Sequence, residues 1–75
     1  MTKLKLGTYR HSKTGNLYKV LAVGKHSETL EDLVVYEALY ENPDGKIWIR
    51  PVKSFDEKVL INGKPKKRFV YKNSN

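Results

Sequence analysis

The residues of this chain whose types and spacing could do chemistry are two histidines, a polar block, a tryptophan–arginine pair and a run of lysines. His11 ends Gly7-x-Tyr9-Arg10-His11. On an extended backbone Tyr9 and His11 share one face, and Thr8 and Arg10 share the other. This predicts either an aromatic–imidazole pair offering a donor and a stacking surface, or a half-buried Tyr9 with His11 hydrogen-bonded at a rim. His26 opens His26-Ser27-Glu28-Thr29-Leu30-Glu31, the most polar connector in the chain. A metal site built from His11, His26 and a carboxylate has the right ligand types, but no His-x-His or His-Glu-x-x-His spacing accompanies it. A Ser27 nucleophile would need His11 as its base, because neighbours on a strand point apart, and no Gly-x-Ser-x-Gly elbow is present. A polar recognition loop remains. Against it stands a local use, in which Thr29 caps one helical turn with Asp32 at the third position. No catalytic residue and no metal ligand is therefore assigned.

Trp48-x-Arg50-Pro51 places Trp48 and Arg50 on one strand face, where a guanidinium can stack on an indole or on a ligand. The other use of a lone Trp in a small domain is as its large core residue. Lys64-Pro65-Lys66-Lys67-Arg68, followed by Phe69 and Tyr71, interleaves base and aromatic. Such a stretch can track a phosphate backbone, or it can protect an edge strand with Lys and Pro. The five glycines are scattered and build no phosphate cradle, and no cofactor is expected.

Charge narrows the partners. Fifteen Lys and Arg against eight Asp and Glu give a net +7. Residues 1–26 contribute +6, residues 27–41 contribute −5 and residues 42–75 contribute +6. Such a surplus invites nucleic acid or another polyanion, since each phosphate neutralised releases a counterion. Surplus Lys also serves solubility. The chain has no cysteine, so disulfides and thiolate zinc sites are excluded, and a cytoplasmic location is expected. The start of the chain lacks the apolar core of a signal peptide. No window nears the roughly eighteen apolar residues of a membrane span.

The elements that must position these residues read as strands, with turn chemistry about every eight to twelve residues. The expected runs are Leu4–His11, Leu17–Lys25 with a bend at Gly24, Leu33–Tyr40, Lys46–Arg50, and a final pair, Lys58–Ile61 with Arg68–Tyr71. Asn42-Pro43-Asp44-Gly45 and Asn62-Gly63 are turns, and Val52–Phe55 is a crossing or single helical turn. No internal repeat is evident. The prediction is one all-β domain over 1–75, a small SH3-like partly open barrel of five or six short antiparallel strands. Residues 1–3 and 72–75 are expected to fray, and an OB-type barrel is the second choice.

Read in order, Gly7-x-Tyr9-Arg10-His11, Tyr18-x-Val20, His26-Ser27-Glu28-Thr29-x-Glu31, Val34-Val35-Tyr36-x-x-Leu39-Tyr40 and Trp48-x-Arg50-Pro51-x-x-x-Phe55 resemble the bacterial Domain of Unknown Function 1653 family. The resemblance runs from Gly7 to about Tyr71. It implies a small bacterial protein or module with no established activity. The shared polar and aromatic positions imply a surface site at Arg10, His11, His26, Ser27, Glu28, Tyr36, Trp48 and Arg50.

Two uses follow. The leading expectation is a non-catalytic binding module for RNA or DNA, with Lys64, Lys66, Lys67 and Arg68 on the backbone phosphates. The alternative is a small-molecule or peptide module using the His/Glu/Arg/Trp surface. An enzyme is not expected, because so short a chain builds a water-excluding cleft poorly.

Overall fold

The computed structural model describes residues 4–73. In chain order the elements are β1 (Gly7–His11), β2 (Leu17–Lys25), β3 (Asp32–Ala38), β4 (Ile47–Pro51), α1 (Val52–Phe55), β5 (Lys58–Ile61), β6 (Lys64–Lys67) and β7 (Phe69–Asn73). Five strands form one antiparallel sheet in the order β4-β3-β2-β1-β7, and β5 pairs with β6 in a separate two-stranded sheet. The fold is all-β and antiparallel, as the spacing of turns predicts. It has seven strands rather than five or six. Among the described residues no pairing joins the edges β4 and β7, so no closed barrel forms.

The extra strand follows from the hairpin turn. Asn62 (φ 53°) and Gly63 (φ 78°) occupy the left-handed region that a two-residue loop requires. That loop pairs Ile61 with Lys64 directly, and the ladder continues to Lys58 opposite Lys67. The basic stretch is thus β6, an exposed edge strand, and Phe69 onward is free to pair with β1. His11 then faces Phe69, and Thr8 faces Asn73. Lys72 and Asn73, expected to fray, continue β7. The rest of the expected frayed ends, residues 1–3 and 74–75, lies outside the described residues.

A second difference sits in β2. The pairing register shifts at Leu21: Val20 pairs with Tyr36 and Ala22 with Val35, leaving Leu21 as the extra residue of a bulge. One added residue exchanges inside and outside. Beyond the bulge Val23 lies opposite buried Val34, while Ala22 is exposed. This explains why the segment looks apolar on both faces.

The concave face of the sheet carries the core. Tyr9, Val20, Val34, Tyr36 and Phe69 are buried there under Phe55, which α1 lays across them. Pro51 ends β4 and starts this turn with φ −55°, an arrangement proline favours. The convex face carries Arg10, with exposed Leu17, Leu39, Ile47, Ile49 and Val70. Among the described residues no helix is long and apolar enough to cross a membrane.

Candidate functional site

Aromatic rings make the floor of the concave face. Phe55 and Phe69 stack in parallel at 4.1 Å. Tyr9 and Tyr36 meet Phe55 edge-on at 5.3 and 5.5 Å, and Tyr18 meets Phe69 at 5.5 Å. Such contacts stabilise by about 0.5–1.5 kcal/mol per pair beyond burial. Tyr36 is 5% exposed and Phe69 4%, so these rings are core and cannot receive bases. Burial and the hydroxyl of Tyr40, 2.7 Å away, push the Tyr18 phenol up to about 12. Burial also raises Tyr9, whose hydroxyl donates to the Lys5 carbonyl at 2.7 Å.

Cations rim this floor. Arg50, half-buried, sits with its guanidinium carbon 5.9 Å from the Phe69 centroid. Its Nε–H donates to the Tyr36 hydroxyl at 3.4 Å and its Nη1 to Ser54 Oγ at 3.1 Å. Arg68, also half-buried, donates from Nε to the Ser54 carbonyl at 3.2 Å. Both arginines therefore converge on Ser54. Among the described residues the ion pairs are Lys25–Asp32, Lys46–Glu37 and Lys67–Asp56, and neither arginine takes part. His11 completes the rim, its ring 4.9 Å from Phe69 and nearly perpendicular to it. Burial lowers the His11 pKa, and the charges of Arg68, Arg50 and Lys13 push it the same way.

The two histidines are used alike by their turns. His11 Nδ1 accepts from the backbone N–H of Lys13 (3.2 Å) and Thr14 (3.4 Å), and Asn16 N–H donates to Thr14 Oγ1. His26 Nδ1 accepts from Glu28 (3.1 Å) and Thr29 (3.3 Å), and Glu31 N–H donates to Thr29 Oγ1. The backbone bonds match as well, Gly15 to His11 and Leu30 to His26. Gly15 (φ 79°) and Leu30 (φ 63°) hold the same left-handed position. His-Ser-x-Thr is thus a repeated turn unit, which the sequence displays at 11–14 and 26–29 and which a search for long repeats misses. It also corrects the expected helical cap. Thr29 binds Glu31 within a tight turn, and β3 begins at Asp32. An imidazole whose Nδ1 accepts offers Nε2–H as its remaining donor.

The expected surface site divides. His11, Tyr36, Trp48 and Arg50 lie on the concave face. Arg10 points to the opposite face. His26, Ser27 and Glu28 stand at the tip of the β2–β3 hairpin, separated from His11 by the nine residues of β2, a run of about 30 Å. Trp48 is half-buried against the core, its Nε1–H donating to the Gly45 carbonyl at 3.1 Å. Arg68, read from sequence as one of the phosphate-tracking residues, shares Ser54 as a partner with Arg50, and the site read from sequence does not include Ser54. Ser54 follows Arg50 by four positions across the strand-to-helix corner, and that corner is what brings them together. Lys64, Lys66 and Lys67 are exposed along β6. Ser12 ties the β1–β2 turn to this strand's end: its N–H donates to the Arg68 carbonyl at 2.9 Å, and its hydroxyl donates to the Lys67 carbonyl. Among the described residues no group of three His, Cys, Asp or Glu could hold a metal ion.

Fold and site together define a small, open, antiparallel β protein with an aromatic floor rimmed by Arg50, Arg68 and His11. The family model described as Protein of unknown function (DUF1653) matches residues 7–71. The chain belongs to that family. The crystal structure of a DUF1653 protein from Bordetella bronchiseptica is similar to it throughout, with a TM-score of 0.84 and 32% identity, covering 92% of this chain and 87% of that one. A comparison with curated proteins returns no match.

Proposed function

We propose that this chain is a non-catalytic, cytoplasmic binding module whose ligand is nucleic acid, held at the cationic end through its phosphates. The observation that carries the reading is the gathering of two basic stretches at one place. The Ser12 contacts set Lys13 beside the Lys64–Arg68 segment, while Glu28, Glu31 and Asp32 stand beyond the other end of β2. A polyanion approaching β6 and the first turn therefore avoids that acidic tip. With the aromatic floor buried, binding rests on phosphate neutralisation and not on base stacking. The engagement of both histidine Nδ1 atoms in turns supports a non-catalytic role. The fold reads as an SH3-like, partly open barrel: the last sheet strand returns beside the first, and a helical turn follows β4.

The test is fluorescence anisotropy of a labelled single-stranded RNA titrated with protein across a salt series. Lys64→Gln/Lys66→Gln/Lys67→Gln is expected to flatten the plot of log affinity against log salt by about 2, at roughly 0.7 per phosphate contact. An unchanged slope, or no binding by the wild type at low salt, defeats the reading.

A further inference from the structure

The same end of the molecule holds a feature that a solvated lysine strand does not explain. Half-buried guanidinium groups ordinarily meet a carboxylate, because partial burial of an unpaired charge is costly. Here, among the described residues, Arg50 and Arg68 are steered only by uncharged acceptors: Tyr36 Oη, Ser54 Oγ and the Ser54 carbonyl. These bonds take both Nε–H groups and one Nη1 proton. They leave the Nη2 group of Arg50 and both Nη groups of Arg68 for another acceptor. His11 stands on the same Phe69 ring as Arg50, with its Nδ1 occupied by the turn and its Nε2–H as its remaining donor. Two arginines positioned on one serine, neither of them ion-paired among the described residues, with His11 beside them, make a receptor for a planar or tetrahedral oxyanion.

We infer that Arg50, Arg68 and His11 form a specific site for a single phosphate group, a phosphate monoester carried by a small molecule or by the 5′ end of a nucleic-acid strand. The tetrahedral dianion matches two guanidinium forks better than a carboxylate does, since three of its oxygens can accept at once. The site adjoins the end of β6 but uses none of its lysines, and it does not rest on the nucleic-acid reading above.

The test follows the arginine Nε–H and His11 ring signals by NMR during titration with inorganic phosphate, with sodium chloride adjusted to hold ionic strength constant. Saturable shifts at Arg50, Arg68 and His11, with none at His26, are expected. Arg50→Lys is expected to weaken phosphate binding about tenfold, because a point charge replaces a fork. Arg68→Lys, at a position with only one side-chain bond to the body, gives a second variant should the first disturb the fold. Shifts that track ionic strength alone, or binding undiminished in both variants, overturn the site. The Lys64→Gln/Lys66→Gln/Lys67→Gln protein separates the two readings, since it should keep phosphate while losing RNA. Phosphate binding without RNA binding in the wild type leaves this site standing and removes only the nucleic-acid reading. Two sources of the phosphate are told apart by 5′-phosphorylated and 5′-hydroxyl trinucleotides beside glycerol phosphate. A preference for the phosphorylated trinucleotide over glycerol phosphate assigns the site to strand ends, and equal binding of the two assigns it to small molecules. Either outcome supports the site, and binding of the 5′-hydroxyl form as tightly as the phosphorylated one counts against it.

Discussion

The turns at His11 and His26 are built from the same residues and the same hydrogen bonds, yet they end in different surroundings. At both, imidazole Nδ1 gathers two backbone N–H groups and a threonine hydroxyl a third. What differs is the ground each ring stands on. His11 rests on Phe69 beside two arginines, whereas His26 heads a hairpin tip that carries Glu28, Glu31 and Asp32. The pair separates two roles that a sequence reading merges. Making the turn is local and common to both histidines. Belonging to a site is tertiary and falls to His11 alone.

The largest expected effect comes from removing the ground under one turn only. Phe55→Ala deletes the ring stacked on Phe69 and should cost about 3–5 kcal/mol in urea unfolding, a large part of the stability of a domain this size. The hydrogen bonds of the His26 turn should survive in whatever fraction stays folded, read as unchanged amide shifts at Glu28 and Thr29.

A smaller effect tests the shared turn geometry. Both fifth positions have positive φ, but one is glycine and the other leucine. Gly15→Ala should cost about 1 kcal/mol from backbone strain alone, since a Cβ there meets nothing within 4 Å. Leu30→Gly relieves the same strain at an exposed site and should change the unfolding free energy the other way, by up to about 1 kcal/mol. Equal signs for the two changes would mean that the turns are not equivalent.

The subtlest difference is in pH dependence. The folded-state pKa of His11 lies below the ordinary imidazole value, so between the two values the unfolded chain binds more protons than the folded one. Stability is fully present above about pH 6.5, the ordinary imidazole value, and is lost as pH falls toward the folded pKa. Stability measured from pH 7.5 to 5.5 should fall less steeply in His11→Gln than in the wild type.

Much of the fold was readable along the chain. The extent of β2, the break after Arg50 and the Asn62-Gly63 turn all follow from alternation and turn chemistry, which are local. The errors arose where a local signal has a distant consequence. A two-residue loop at Asn62-Gly63 commits Lys64–Lys67 to β5 and thereby sends Phe69 to β1. The bulge at Leu21 has no signature of its own, and it reverses the faces of everything after it. The candidate site was half visible: Arg50 and His11 could be named from their types, and Tyr36 from the family resemblance. That Ser54 and Arg68 join them, and that His26 and Glu28 do not, depends on how the sheet curls around Phe69.

The most direct measurement is a ¹⁵N-HSQC titration with short single-stranded RNA, first at low and then at physiological salt. The account predicts shifts at Ser12, Lys13 and Lys64–Arg68 that persist, weakened, at physiological salt, with the His26–Asp32 tip unmoved. Shifts that vanish with salt, or that centre on the acidic tip, would contradict it.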